Sequence, residues 1–248
     1  MSLKKSTFLI WLFFMAICYI GSAQNNQLSP SEKAEGFRLL WDGKTYQGWR
    51  STFDNKQSVD GWQIKDGEFT IIGTPGQING LGRDIVTEEE FGSFILKFDF
   101  KLSAGANSGV KYFVTETNVP RKSVLGLEYQ LLDDDIHPDA KLGRDGDRKL
   151  ASLYDLIPAD KPASIIRPIG EWNEAIIKVL PNNHVEHWLN GVKVLSYERG
   201  SKSFKELVAL SKYSVYPNFG EAEKGHILLQ DHGFTVSFRN IKIKTAGL

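Results

Sequence analysis

Cysteine is almost absent. The chain carries one, Cys18, and it lies in the first 23 residues. A disulfide framework is therefore excluded, and stability has to come from core packing. Net charge is also missing: 30 basic residues balance 30 acidic ones. Without a basic stripe there is no electrostatic footprint for nucleic acid. A neutral partner such as a sugar is unaffected by that exclusion. No P-loop, Gly-x-Ser-x-Gly elbow or HExxH helix occurs, which removes the usual signatures of NTPases, α/β-hydrolases and zinc proteases. Gly80-Leu81-Gly82 lacks the strand-helix setting of a dinucleotide site and reads as a plain turn.

Long apolar runs are scarce as well. The longest, Thr7 to Ile20, follows Lys4 and Lys5 and precedes Gly21-Ser22-Ala23. It is short for a membrane span and has the three-part layout of a secretory signal peptide. Residues 1–23 are therefore expected to be a signal peptide and residues 24–36 a polar linker. A domain over residues 37–248 completes the chain. The expected location is exported, periplasmic or extracellular, with no stable membrane anchor after cleavage.

What remains is rich in period-two segments. In Phe94–Leu102, Phe94, Leu96, Phe98, Phe100 and Leu102 share one face, and Ile95, Lys97, Asp99 and Lys101 share the other. That pattern predicts a strand with one face in a core. Val110–Val114 and Leu125–Leu132 read the same way, and Glu174–Leu180, His184–Leu189 and Val192–Tyr197 read as a strand meander. Asp66-Gly67 and Asn190-Gly191 are hairpin turn signals. Ser203–Lys212 is the one expected helix, with Ser203 and Glu206 as a capping box. A dozen short strands punctuated by Gly, Asn, Asp and Pro predict an all-β sandwich. Loops at 73–82, 133–149 and 158–173 are long enough to rim a site.

Candidate chemistry follows from the faces. Glu128 and Gln130 point away from Leu127, Tyr129 and Leu131, and an acceptor beside an amide suits sugar hydroxyls. Val185 and Leu189 draw His187 toward the core, where a hydrogen-bonded structural histidine and a functional one re-aimed by a bulge are both open. Trp188 then points the other way, beside Glu186, where an indole can stack on a sugar. His226–Gln230 reads as a buried strand, with Asp231-His232-Gly233 as a polar corner and Phe234–Lys244 as its return. That hairpin would gather Gln230, His232 and Arg239, with Asp231 orienting His232. Asp133-Asp134-Asp135 with His137 offers oxygen ligands for a hard cation, although a solvated charged loop explains it better.

Seven segments occur in a recognisable order. They are Leu40-Trp41-Asp42-Gly43 with Gly48-Trp49, Asn107-Ser108-Gly109-Val110, Gly126-Leu127-Glu128-Tyr129-Gln130, Leu153-Tyr154-Asp155, Gly170-Glu171-Trp172-Asn173, His187-Trp188-Leu189-Asn190-Gly191, and His226 to Gly233 with Phe238-Arg239-Asn240-Ile241. Together they resemble the 3-keto-disaccharide hydrolase family over about residues 37–244. The resemblance implies a concanavalin/laminin-G-like jelly roll and an exported protein of the kind frequent in Bacteroidetes-type bacteria. One departure stands out: Leu150-Ala151-Ser152 replaces the Thr-Gly that many members carry before Leu-Tyr-Asp.

The resemblance also implies a glycoside oxidised at C3. The ketone acidifies the C2 proton and makes the aglycone on C1 a β leaving group, so proton abstraction, elimination and hydration would cleave it. Expected roles are His232 or His187 as base and Glu128 as acid or second base. Arg239, Lys111 and Gln230 would hold oxygens, with Gln130 and Asn107 also on the substrate and Tyr154 and Trp188 shaping the pocket. No resident cofactor or metal is required, while a divalent cation as electrophile stays open. The competing class is a lectin-like carbohydrate-binding module, which needs platforms and hydrogen bonds but no proton carrier.

Overall fold

A computed structural model describes residues 25–54, 60–74, 83–117 and 123–248. The expected signal peptide and most of the 73–82 loop lie outside the described residues. No helix among those residues is long and apolar enough to cross a membrane.

The strands in chain order are β1 (Arg38–Leu39), β2 (Trp49–Ser51), β3 (Trp62–Lys65), β4 (Glu68–Ile71), β5 (Ile85–Thr87), β6 (Phe94–Leu102) and β7 (Asn107–Thr117). They continue with β8 (Ser123–Leu132), β9 (Trp172–Val179), β10 (His184–Leu189), β11 (Val192–Glu198), β12 (His226–Leu229) and β13 (Val236–Lys244). Two antiparallel sheets form a jelly-roll sandwich. The larger runs β11-β10-β9-β6-β13-β4-β3, with β1 also on β13, and the smaller runs β2-β5-β12-β7-β8.

Period two holds along Phe94–Leu102, but in Val110–Val114 a bulge breaks it: Phe113, at φ of 53°, turns into the main core and Val114 packs outside it with Val86 and Leu228. Along β6, burial alternates residue by residue, and the apolar face is fully enclosed. Opposite it, β7 and β8 contribute Val110, Tyr112, Leu127, Tyr129 and Leu131. Phe98 meets Tyr129 edge-on across the sheets at 5.8 Å. Each such side chain stabilises by about 1.5–3 kcal/mol when fully buried. The turns also follow from their residues: Asp66 and Gly67 have φ of 53° and 73°, and Asn190 and Gly191 have 48° and 80°, as a type I′ hairpin needs.

Three expectations are corrected. The polar segment before residue 37 is a docked element: Pro30–Ala34 forms a short helix, α1, with Ser29 and Glu32 in a reciprocal capping box. Glu32 then pairs with Lys242 at 2.9 Å. The main helix, α2 (Lys202–Ala209), is capped by Ser201, whose hydroxyl accepts from the Phe204 N–H, so Ser203–Glu206 is not its box. Finally, β12 and β13 are not a hairpin. β12 lies in the smaller sheet and β13 in the larger, so residues 230–235 cross the edge of the sandwich. Period two tells which face a residue takes, and an arch between sheets preserves it as well as a hairpin does.

Candidate active site

The site lies on the outer face of the smaller sheet. Lys111 pairs across β7 and β8 with Glu128, Gly109 with Gln130, and Asn107 with Leu132. Paired residues share a face, so these side chains stand opposite the core face made by Val110, Tyr112 and Tyr129. β12 adds the next row. Leu228 pairs with Lys111, and the Gln230 N–H donates to the Gly109 carbonyl at 3.0 Å. Period two then brings Gln230 and His232 to the same face.

A further edge is supplied by residues 151–154. The Gln130 N–H donates to the Ser152 carbonyl (3.1 Å), the Ala151 N–H to the Gln130 carbonyl (2.8 Å) and the Tyr154 N–H to the Glu128 carbonyl (3.1 Å). Tyr154 is thereby set beside Glu128. Ala151 adopts φ of +66°, a conformation that costs an L-residue about 1–2 kcal/mol.

Asn107, Lys111, Glu128, Gln130, Tyr154, Gln230 and His232 line one small polar cleft of about 50 Å³, together with Lys212. Glu128 is almost fully buried. Its carboxylate lies 3.8 Å from the Lys111 ammonium. The Gln130 amide, oriented to satisfy its neighbours, donates to Glu128 Oε1 and to the Ser108 carbonyl, each at 3.1 Å. The Tyr154 hydroxyl donates to Asp139 Oδ2 at 2.8 Å. Burial, that hydrogen bond and the nearby acidic groups raise its pKa well above the ordinary phenol value. His232 is partly buried, and its Nδ1 is enclosed without a hydrogen-bond partner among the described residues.

Lys212 is the residue that the sequence pattern did not single out. It follows α2 in a 3₁₀ turn, Lys212–Val215, capped by the Ser211 hydroxyl. Its backbone N–H donates to Asp155 Oδ2 at 2.8 Å. The other Asp155 oxygen accepts from Arg148 Nε at 2.7 Å. Leu-Tyr-Asp thus contributes one residue to the cleft and another that holds a second strap over it. Burial lowers the Lys212 pKa; Glu128 and Asp155 oppose the shift, and Lys111 and Arg148 add to it. Asp84 stands in electrostatic reach of Lys111 and Glu128. Burial raises its pKa, and its Oδ1 accepts from the Asp231 N–H at 2.8 Å.

Three expected site residues are elsewhere. His187 is fully buried between the sheets. Its Nδ1–H donates to the Ala151 carbonyl (3.0 Å) and its Nε2 accepts from the Tyr112 hydroxyl (2.9 Å). A bulge does follow it in the pairing of β10 with β11, but it does not turn the ring outward. Burial lowers the His187 pKa to about 4. Trp188 lies on the outer face of the larger sheet, donating to Glu186 Oε2 at 2.7 Å, with Lys178 Nζ 4.2 Å from its ring centroid. Arg239 is carried away with β13, where it binds Asp99 at 3.0 Å and covers Trp172. Asp231 does not orient His232: its carboxylate takes Arg83 Nε (2.6 Å) and the Gly233 N–H (2.9 Å).

The aspartate loop is also accounted for by protein donors. Asp133 accepts from the N–H groups of Gly105, Asp135 and Ile136, while Asp134 takes the Leu150 N–H and Lys161. Among the described residues no group of three or more His, Cys, Asp or Glu side chains is arranged to hold a metal ion. A larger cleft of about 330 Å³ lies at Leu102, Leu132, Leu150 and Ile166–Ile169. Leu132 is the cross-strand partner of Asn107, so this cleft adjoins the polar one.

Comparison with known proteins agrees with this architecture. The model of the 3-keto-alpha-glucoside-1,2-lyase-like domain matches residues 36–244. A 3-keto-disaccharide hydrolase of Bacteroides thetaiotaomicron is 36% identical over 244 residues, spanning 90% of this chain and 83% of that protein. The crystal structure of a candidate glycosyl hydrolase from Parabacteroides distasonis superposes with a TM-score of 0.77 at 35% identity, over 89% of this chain and 99% of that one. A second from the same organism gives 0.59 at 25% identity, over 84% and 98%.

Proposed function

The chain belongs to the 3-keto-alpha-glucoside-1,2-lyase-like family, and on that premise we propose that it cleaves glycosides whose glycosyl unit carries a ketone at C3. The observation that carries this reading is the convergence of Glu128, His232, Tyr154, Lys111 and Lys212 with three carboxamides in one polar cleft. A binding module of the same architecture has no use for that many proton carriers. The relative's activity on 3-keto-disaccharides supports the same substrate class.

The chemistry divides among these groups as follows. Glu128, an acceptor facing Lys111 and the Gln130 amide, removes the C2 proton. Lys111 and Lys212 supply the electrophilic stabilisation for the electron pair that develops toward C3. His232 at the rim protonates the departing aglycone oxygen. Water adds to the unsaturated sugar. Asn107, Gln130 and Gln230 hold hydroxyls, because an amide both donates and accepts. The adjoining cleft beyond Leu132 receives the aglycone. This route does not use the pair of carboxylates that flanks the bond in ordinary glycosidases. Export to the periplasm or medium is the setting we propose for it.

The test compares a chromogenic 3-keto-glucoside with its unoxidised parent. Release from the keto compound alone, lost in Glu128→Gln, is the expected result. Equal release from both compounds, or an undiminished rate in Glu128→Gln, contradicts the reading.

A further inference from the structure

We propose that Lys212 is a covalent catalyst, condensing with the C3 ketone of the bound sugar and carrying it through elimination as an iminium. The inference rests on the ketone-dependent reading and assigns that reading a nucleophile.

Two lysines reach the cleft, and their surroundings differ. Lys111 faces the Glu128 carboxylate across the strand pair at 3.8 Å. Lys212 makes no ion pair among the described residues. Its Nζ lies over aromatic faces instead, 4.1 Å from the Tyr154 centroid and 5.1 Å from that of Tyr213. Tyr213 is buried, so one side of the ammonium is shut off from water. Burial disfavours a positive charge at that point, Glu128 and Asp155 oppose this, and Lys111 and Arg148 add to it. An amine that is enclosed, has no carboxylate within ion-pair distance and stands beside other cations is in the environment in which lysine becomes a nucleophile toward carbonyls. Its backbone is fixed too, through the 2.8 Å bond to Asp155.

The step balances within the cleft. The neutral amine of Lys212 adds to C3, and the carbinolamine loses its oxygen as water to give a protonated iminium. Glu128 takes the C2 proton, and the electron pair of that C–H bond forms the enamine. The enamine expels the aglycone from C1, whose oxygen receives a proton from His232, and the conjugated iminium is regenerated. Water adds at C1 while C2 regains a proton. A second water then hydrolyses the iminium and returns the ketone and the free lysine. No oxidant or reductant is consumed.

The experiment is reductive trapping. The protein is incubated with 4-nitrophenyl 3-keto-glucoside in the presence of cyanoborohydride, and the adduct is mapped by peptide mass spectrometry. The expected result is progressive inactivation that needs both reagents, with one sugar-derived adduct on Lys212. Lys212→Arg keeps the charge but cannot form an imine. It should show no adduct and lose about 10³-fold in kcat/KM, the scale of removing a covalent catalyst, while melting within a few degrees of the parent. Lys212→Met should behave likewise. Turnover by the parent protein without an adduct, an adduct on Lys111, or a Lys212→Arg rate within about threefold of the parent overturns this inference and leaves the proposed function standing. A parent protein that gives neither turnover nor adduct with the keto compound overturns both.

Discussion

The Glu128 carboxylate occupies the space that a side chain on Gly109 would fill. A Cβ placed on Gly109 meets Glu128 Oε1 at 2.3 Å and its Cγ at 2.9 Å. The two residues lie on neighbouring strands of the smaller sheet, and the empty position on β7 is what allows Glu128 to lie flat between Lys111 and Gln130. Glycine inside a strand weakens it, so the gain here is in the aim of one carboxylate.

That relationship predicts the behaviour of Gly109→Ala. The added methyl forces Glu128 off its present position, since Gly109 itself is held by the pairing with Gln130. A displacement of about 1 Å at a reacting group costs about 10²-fold in rate. The expected outcome is at least that loss in kcat/KM with the sandwich still folded, read by steady-state kinetics beside a melting curve. An unchanged rate would show that Glu128 need not lie where it does.

Asp155 ties two straps together. It accepts from Arg148 through one oxygen and from the Lys212 N–H through the other, and it does so at φ of 62°. Asp155→Asn tolerates that backbone but has one acceptor atom in place of two. Stability is expected to fall by about 1–3 kcal/mol, with a larger proportional loss in kcat than in KM because Lys212 loses its anchor. Equilibrium unfolding and initial rates on the same preparation separate the two effects.

His187 supplies a pH-dependence that does not involve the cleft. Its pKa is lowered by burial from 6.5 to about 4, so the unfolded chain binds the proton first as pH falls. The stability linked to neutral His187 is complete above pH 6.5 and is lost as pH drops toward about 4, at up to about 1.4 kcal/mol per pH unit. His187→Gln can still donate to Ala151 and accept from Tyr112, and it does not titrate. Its unfolding free energy should therefore slope less steeply across that window than the parent's. Parallel curves would contradict the assignment.

Much of this was legible from period two. The alternation in Phe94–Leu102 and in Leu125–Leu132 separates core from cleft without any tertiary information, and it places Glu128 and Gln130 on the working face. The two turn signals fix their hairpins because few residues accept positive φ. Arg239 and Lys212 mark the limits. The 230–235 connection crosses between sheets, and a strand's own pattern does not record which sheet it joins, so Arg239 reads as a neighbour of His232 and is not one. Lys212 owes its place to a bond from a residue 57 positions away. Nothing in the run Ser211-Lys212-Tyr213 shows that bond. Asp231 reads as the partner of His232 by adjacency, but Arg83 lies closer to its carboxylate than any sequence spacing reveals.

The most direct test of a ketone-enabled elimination is the fate of the hydrogen on C2. Cleavage of a 3-keto-glucoside is run in deuterium oxide and stopped early, and the sugar product is analysed by mass spectrometry and proton NMR against an enzyme-free control. Abstraction at C2, loss of the aglycone and hydration predict one solvent deuterium at C2 of each product molecule, with a primary isotope effect when C2 is deuterated beforehand. A product that keeps its original C2 hydrogen, formed at the same rate from either substrate, would mean direct displacement at C1 and would contradict the account.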